Sequence, residues 1–385
     1  MKKHQIPVYI PLITKNEAKA VSRVLKTRWV TQGPEVAQFE DEFATFVGSK
    51  FACATSNCTT ALHLALLAIG VKKGDEVITV SHSFIATANA IKHCGANPVF
   101  IDIEADTFNI NPDLIHNAVT KKTKAILVVH QMGMPCDLKT ILNYAKKAKL
   151  RVIEDAACAV GSEIKLNDRW EKIGKSQTDL ACFSFHPRKL LTTGEGGMVT
   201  TNNSEFDRKL RLLRHHGMSV SDVKRHAAKT VMFEEYTEVG FNYRMSDIHA
   251  AVGRVQLKLL PQIILKRREQ VARYNELLSD IPGLVLPSEP SWAKSNWQSF
   301  CVRLPDYVDQ KGLMQLALKN GIALRRGVMC AHREKAYKNK AKYELPESEK
   351  AQDQSVLLPL FHEMSTKDQK RVAEFLRKTF ERWKK

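Results

Sequence analysis

The stretch Phe183-Ser184-Phe185-His186-Pro187-Arg188-Lys189-Leu190-Leu191-Thr192-Thr193-Gly194-Glu195-Gly196-Gly197 decides how the rest of the chain is read. It begins inside an apolar run, Leu180–Ser184, that reads as a strand. A polar loop follows, and a second strand resumes at Gly197–Thr201. Three glycines in four positions permit positive φ and close backbone approach. Lys189 lies inside that loop. A lysine held beside a glycine-rich loop at a strand end is a candidate Schiff-base lysine. The competing reading is a surface lysine in a tight turn.

Outward from this stretch, further short apolar runs predict strands at Glu76–Val80, Pro98–Asp102, Ala125–Val129 and Arg151–Asp155. Helix-like segments lie between them, at Thr59–Ile69, Ala86–His93, Asn111–Val119 and Lys139–Lys147. The alternation predicts an α/β fold with a mainly parallel, doubly wound sheet. Strands apolar on both faces fit burial by helices above and below. The pattern changes after about Arg244. Ser246–Arg273 reads as one long helix, or as two with a break at Pro261, where a helical run ends. Ser246 and Asp247 read as its N-cap residues. A turn at Ile281-Pro282-Gly283, a strand at Gln298–Leu304 and a helix near Gln310–Asn320 follow. A final amphipathic helix is expected near Thr366–Trp383. The expected division is a large domain over 1–245, with an N-terminal arm, and a smaller C-terminal α+β domain over 246–385.

A chain of 385 residues suits two or three domains, and 44% hydrophobic with 26% charged residues excludes disorder over its length. No window approaches ~18 uninterrupted apolar residues, so no membrane span is expected. Met1-Lys2-Lys3-His4-Gln5-Ile6-Pro7 has no apolar segment behind its charges, so no secretory signal is expected. Lys plus Arg is 59 against 41 Asp plus Glu, a net +18. That excess fits an anionic small substrate, a nucleic-acid partner or a generally basic surface. Its runs, Lys266-Arg267-Arg268, Lys335 to Lys342 and Lys384-Lys385, read as solvated faces. The eight cysteines, Cys53, Cys58, Cys94, Cys136, Cys158, Cys182, Cys301 and Cys330, form no C-x-x-C pair. They read as buried, reduced thiols of a cytoplasmic protein, with no disulfide frame and no metal site.

Two more stretches carry chemistry. Val152-Ile153-Glu154-Asp155-Ala156-Ala157 puts an acidic pair at the carboxyl end of a strand, where open α/β sheets bind ligands. Asp155, followed by small residues, suits the ring nitrogen of pyridoxal phosphate; the plain alternative is a helix cap. Thr55-Ser56-Asn57-Cys58-Thr59-Thr60-Ala61-Leu62 leads a strand into a helix whose N-terminus is a ready phosphate site, or an ordinary capped end. Together the three stretches supply the separate needs of one cofactor: Thr59 and Thr60 for phosphate, Asp155 for the pyridine nitrogen, Lys189 for the aldehyde carbon. G-x-x-x-x-G-K-[ST] is absent, and the Gly-rich loop does not open a β-α unit, so no dinucleotide fingerprint is present.

With these residues in view, the chain resembles the DegT-type sugar aminotransferases, pyridoxal-phosphate enzymes of fold type I in the aspartate aminotransferase superfamily. The likeness runs from Arg28-Trp29-Val30-Thr31-Gln32-Gly33-Pro34 through Ser83-Phe84-Ile85-Ala86-Thr87-Ala88-Asn89-Ala90-Ile91 and Val128-Val129-His130-Gln131-Met132-Gly133. It continues through Gly240-Phe241-Asn242-Tyr243-Arg244-Met245 to Leu357-Leu358-Pro359-Leu360-Phe361. The resemblance implies that Lys189 carries the cofactor and shuttles the proton of transamination. It implies that Asp155 pairs with the ring nitrogen, Phe84 stacks on the ring, and Thr59, Thr60 and Ser184 hold the phosphate. Asn242 would reach the phosphate of the neighbouring subunit, which implies a homodimer with shared sites. His332 and Thr31 lie where the family contacts its sugar nucleotide. Cys158 stands where the family often has His or Gln against the ring hydroxyl, and a thiol is a weaker donor.

The expectation is therefore a cytoplasmic, pyridoxal-phosphate-dependent aminotransferase. It would move an amino group from glutamate to a nucleotide-linked keto sugar, for cell-surface polysaccharide such as lipopolysaccharide. The reading of another class is a basic regulatory or nucleic-acid-binding protein on the same scaffold. It needs clustered Lys and Arg with aromatics near a recognition element, and none is visible. Absorbance separates the two, since the loaded enzyme is yellow and a DNA-binding module is colourless.

Overall fold

The computed structural model describes residues 4–175, 177–220, 230–231, 233–337 and 343–384. Its centre is one sheet of seven strands, β1 (Phe51–Thr55), β2 (Glu76–Val80), β3 (Asn97–Ile101), β4 (Thr123–Val129), β5 (Arg151–Asp155), β8 (Leu180–Ser184) and β9 (Gly197–Thr201). Their order across the sheet is β1-β9-β8-β5-β4-β2-β3. The pairs from β3 to β8 are all parallel, and β9 alone runs against its neighbours. A hairpin of β6 (Glu163–Leu166) and β7 (Arg169–Lys172) stands outside it and pairs with β10 (Ala293–Lys294).

The side chains of β8 explain how the sheet is covered. Leu180 and Cys182 point into a core with α3 (Cys58–Ala68), α4 (Ala86–His93) and α7 (Ser204–Leu213). Ala181 and Phe183 point into the opposite core, with α2 (Pro34–Val47) and α6 (Leu138–Ala148). This is the period-2 alternation of a strand buried on both faces. Phe183 lies 5.0 Å from Phe43 and Phe185 lies 5.4 Å from Phe39, ring centre to ring centre. Burying each such ring contributes roughly 2 kcal/mol before the cost of ordering it.

The long helix α8 (Asp247–Leu278) serves two cores. Ala250, Leu257, Leu260 and Ile263 pack under the large sheet. Val271, Tyr274 and Leu278 pack in a second core. That core also holds β11 (Phe300–Arg303) and β13 (Ser355–Leu358), which with β12 (Arg325–Arg326) form a three-stranded antiparallel sheet. It is closed by α9 (Gln310–Lys319) and α11 (Thr366–Trp383). The N-terminal arm enters it too, where Ile6 pairs with Ile322.

The structure decides one alternative of the sequence reading and changes two points of it. Of the two readings of Ser246–Arg273, one long helix is what forms, and α8 runs through Pro261. Pro261 is exposed, and both halves of the helix are anchored in cores, which outweighs the ~3 kcal/mol a proline costs inside a helix. Ser246 is the cap of α8, accepting from His249 N. Asp247 instead turns to another helix: its carboxylate accepts from Gly33 N, Glu35 N and Val36 N at 2.8–3.2 Å, closing the start of α2, where Pro34 supplies no donor. Over 111–119 the structure has a 3-10 turn, Pro112–Leu114, and one turn of α-helix, Ile115–Ala118. Within the basic run from Lys335, residues 338–342 lie outside the described residues, as does Lys385. None of the described helices is long and apolar enough to cross a membrane.

Candidate active site

Strand register assembles the site. Thr55 of β1 and Ser184 of β8 both pair with Gly197 of β9, and Asp155 of β5 pairs with Cys182 of β8. The carboxyl ends of β1, β8 and β5 and the start of β9 therefore meet at one edge of the sheet, the usual ligand edge of an open α/β fold.

Lys189 hangs from this edge in the loop between β8 and β9. The loop closes on itself through Phe185 N to Gly196 O at 2.9 Å and Thr193 N to Phe185 O at 3.0 Å. Gly194 turns it at φ +84°, a conformation costly for any residue with a Cβ. Gly197 is needed for closeness: a Cβ there would sit 2.6 Å from the Asn57 carbonyl. The Lys189 amine donates to Cys158 Sγ at 3.0 Å. Burial disfavours its ammonium, but the Cys158 sulfur, then Cys58 and Asp155, outweigh this and hold Lys189 above its ordinary pKa.

Asp155 ends β5 with 5% of its surface exposed. Thr87 Oγ1 donates to its Oδ2 at 2.7 Å, and Ala157 N to its Oδ1 at 3.2 Å. Burial drives its pKa up; Thr87, Ala157, Lys189 and His130 pull the other way without cancelling it. Sequence reading passed over Thr87 as a site residue. Its hydroxyl lies 2.7 Å from Ser83 Oγ, so a two-hydroxyl chain leads to the carboxylate. The only linear signal was that both residues lie in the Ser83–Ile91 stretch.

The third component is the start of α3. Asn57 accepts from Thr60 N at 2.9 Å, and Thr60 Oγ1 returns a bond to Asn57 O at 2.7 Å. The first-turn N–H groups have no partner within the helix, and the dipole adds positive potential there. Thr59 and Ser56 are partly exposed at this corner, and Ser184 is 8% exposed beside it. Phe84 lies in the loop before α4 and is 68% exposed.

The remaining candidates are placed differently. Asn242 is exposed, in a segment held at the α3 corner by Ser56 N to Tyr243 O at 2.8 Å. His332 is engaged within the chain at both ring nitrogens. Ser81 Oγ accepts from His332 N at 3.0 Å and lies 2.6 Å from Nδ1. Nε2 lies 3.0 Å from Glu349 Oε1, which accepts from it. Thr31 is exposed, and its carbonyl accepts from Asp247 N at 3.0 Å. The edge thus offers a half-buried amine, a buried carboxylate with acceptor capacity to spare, and a hydroxyl-lined helix start.

Comparison with known proteins extends this. The model of the DegT/DnrJ/EryC1/StrS aminotransferase family matches residues 11–377. An uncharacterized protein of Methanocaldococcus jannaschii, MJ1066, is 44% identical over 296 residues, 77% of this chain and 75% of that protein. The spore coat polysaccharide biosynthesis protein SpsC of Bacillus subtilis is 38% identical over 387 residues, covering 98% of this chain and 97% of its own. Among solved structures, DesI in the presence of its TDP-sugar product superposes with a TM-score of 0.89 at 28% identity, over 99% of this chain and 94% of that one.

Proposed function

The chain belongs to the DegT/DnrJ/EryC1/StrS aminotransferase family, whose members depend on pyridoxal phosphate, and on that premise we propose that it transfers an amino group from L-glutamate to a nucleotide-linked keto sugar. Supporting the sugar are the polysaccharide role in the name of SpsC and the TDP-sugar product of DesI. The observation that carries the reading is the convergence of Lys189, Asp155 and the α3 start at one sheet edge.

The donor set at that edge fits pyridoxal phosphate. Lys189 offers a primary amine to an aldehyde. Asp155 offers a ring N–H a buried carboxylate whose Oδ1 holds only one long bond, from Ala157 N at 3.2 Å. Thr59, Thr60, Ser184 and the first turn of α3 offer hydroxyls and N–H groups to a phosphate. Phe84 offers an exposed ring face to a flat ligand.

When bound, the cofactor supplies an aldehyde for the donor amine and a ring that draws electrons from the donor's α carbon. Lys189 Nζ would take the proton from that carbon and pass it to the cofactor, and in the second half of the cycle would carry one from the cofactor to the sugar carbon. Asp155 keeps a proton on the ring nitrogen, for which its buried charge is worth far more than in water. Cys158 stands three residues beyond Asp155, against Lys189, as a weak donor beside the reacting atoms. Thr31 and His332 are proposed to face the sugar nucleotide, His332 by giving up Ser81 or Glu349.

Asn242 is proposed to bind the phosphate of a second copy. Its own chain leaves it exposed, and Val231 at 84%, Phe233 at 88%, Tyr236 at 60% and Val239 at 92% exposure precede it. A second subunit would cover that apolar group. The eight unpaired cysteines, seven of them buried, support a reducing compartment such as the cytoplasm.

Incubation with glutamate and a panel of UDP-, dTDP- and GDP-keto sugars tests the function. Formation of 2-oxoglutarate with one sugar class and not with sugar-free controls is the expected result. Inactivity of the cofactor-loaded enzyme on every member would defeat the sugar assignment.

A further inference from the structure

The segment between β10 and β11 holds both site loops at once. Gln298 Nε2 donates to Arg188 O at 2.5 Å, and its Oε1 accepts from Leu190 N at 3.1 Å. One side-chain amide therefore binds the backbone on either side of Lys189, as a neighbouring strand would at a single residue. Between those two contacts, the Tyr9 phenol donates to the carbonyl of Lys189 itself. Two residues before Gln298, the Asn296 Nδ2 donates to Cys158 O and to Val160 O, each at 2.9 Å. These carbonyls belong to the loop that follows Asp155.

The segment is itself held rigidly. Asn296 is 0% exposed and Gln298 7%. Asn296 Oδ1 accepts from Gln298 N at 2.9 Å, and Asn296 N donates to Ser162 Oγ at 3.0 Å. Between the two amides, Trp297 adopts φ +54°. A bulky residue in that conformation costs about 1–3 kcal/mol and persists only where its surroundings impose it. Here Trp297 is 5% exposed in the second core, close to Phe300. Gly133 leaves the room: a Cβ on it would lie 2.1 Å from Asn296 Oδ1.

We propose that Asn296 and Gln298 are positioning residues that set the spacing between the Lys189 amine and the Asp155 carboxylate, each fixing one of the two loops. The proposal rests on the cofactor reading of Lys189 and Asp155 given above. Neither amide touches the reacting atoms; they act through backbone. A misplacement of about 1 Å at a reacting centre costs on the order of 10²-fold in rate.

The test compares the cofactor-loaded wild type with Gln298→Leu, Gln298→Glu and Asn296→Ala. Hydrogen exchange read by mass spectrometry should rise about fivefold or more in peptides spanning 186–193 for Gln298→Leu, and not in 156–162. Asn296→Ala should show the larger rise in 156–162 and a smaller one in 186–193, because it also removes the acceptor of Gln298 N. Gln298→Glu keeps the acceptor for Leu190 N but replaces the donor to Arg188 O by an oxygen, so it should loosen the same loop. In both loop-specific variants the visible circular dichroism per bound cofactor should change. The value of kcat should fall roughly 10-fold to 100-fold, with KM for the sugar near wild type. Equal loosening of both loops in every variant, or wild-type dichroism and kcat in a variant whose loop has loosened, would overturn the proposal. If Gln298→Leu fails to fold, Gln298→Glu decides by the same readings. Exchange and dichroism do not depend on the amino acceptor, so failure of the sugar assignment would leave them interpretable.

Discussion

Two carboxylates are buried almost equally in this molecule, Glu40 at 4% and Asp155 at 5% exposure, and they are treated in opposite ways. Glu40, on α2, accepts from Arg214 at 2.5 Å, Arg211 at 2.7 Å and Ala54 N at 2.8 Å. Burial pushes its pKa up, yet Arg214 and Arg211 outweigh it and hold the carboxyl below its ordinary value. Asp155 has a hydroxyl, a long amide contact and no guanidinium, and burial leaves it above its ordinary value. The first is a saturated charge that ties α2 to β1 and α7. The second is a charge kept short of partners at the ligand edge. Such under-satisfied groups cost stability and mark function, because their missing partner is supplied by what binds.

The contrast is sharpest in substitutions. Glu40→Gln should lower unfolding free energy by about 3–5 kcal/mol, because it leaves the buried Arg214 without its counter-charge. Activity per cofactor-loaded molecule should stay near wild type; denaturant titration with cofactor-normalised assays checks both. Asp155→Asn should do the opposite. Its transamination rate should fall on the order of 10²-fold or more, while the cofactor-free protein should be as stable as wild type or more so. A stability loss at Asp155 as large as at Glu40 would erase the distinction. Thr87→Val removes one hydroxyl from Asp155, worth about 1 kcal/mol or roughly fivefold in rate, and stopped-flow half-reactions with glutamate would show it.

Acid titration separates the two groups by sign. Glu40 has a folded pKa below its unfolded one, so its stabilisation is complete above the ordinary carboxyl range and is lost as pH falls through the folded value. Asp155 has a folded pKa above its unfolded one, so its ionised form costs stability at neutral pH, and that cost starts to fall as pH drops to the raised value and is gone below the ordinary carboxyl value. The stability gap between cofactor-free Asp155→Asn and wild type should therefore be widest near neutrality and close on acidification. A gap that widens in acid would contradict the assignment.

The sequence made part of this legible for a local reason. Lys189 and Asp155 sit at the ends of short apolar runs, and β2, β5, β8 and β9 fall where those runs predict. The final helix, Thr366–Trp383, was equally clear from its period. What stayed hidden spans distance along the chain. Thr87 meets Asp155 across 68 positions, Gln298 meets Leu190 across 108, and Asp247 caps α2 from 211 to 214 positions away. No spacing rule connects such residues. Pro261 left the helix open to two readings because the rule for proline weighs a helix alone, whereas α8 is held by two cores.

Lys189, beside Asp155, is proposed as the lysine that carries the cofactor, and borohydride reduction of the yellow enzyme followed by peptide mapping tests this. The reduced cofactor should be found on the peptide containing Lys189, and Lys189→Ala should yield no labelled peptide and no amino transfer. Label on any other lysine, or transamination surviving in Lys189→Ala, would contradict it.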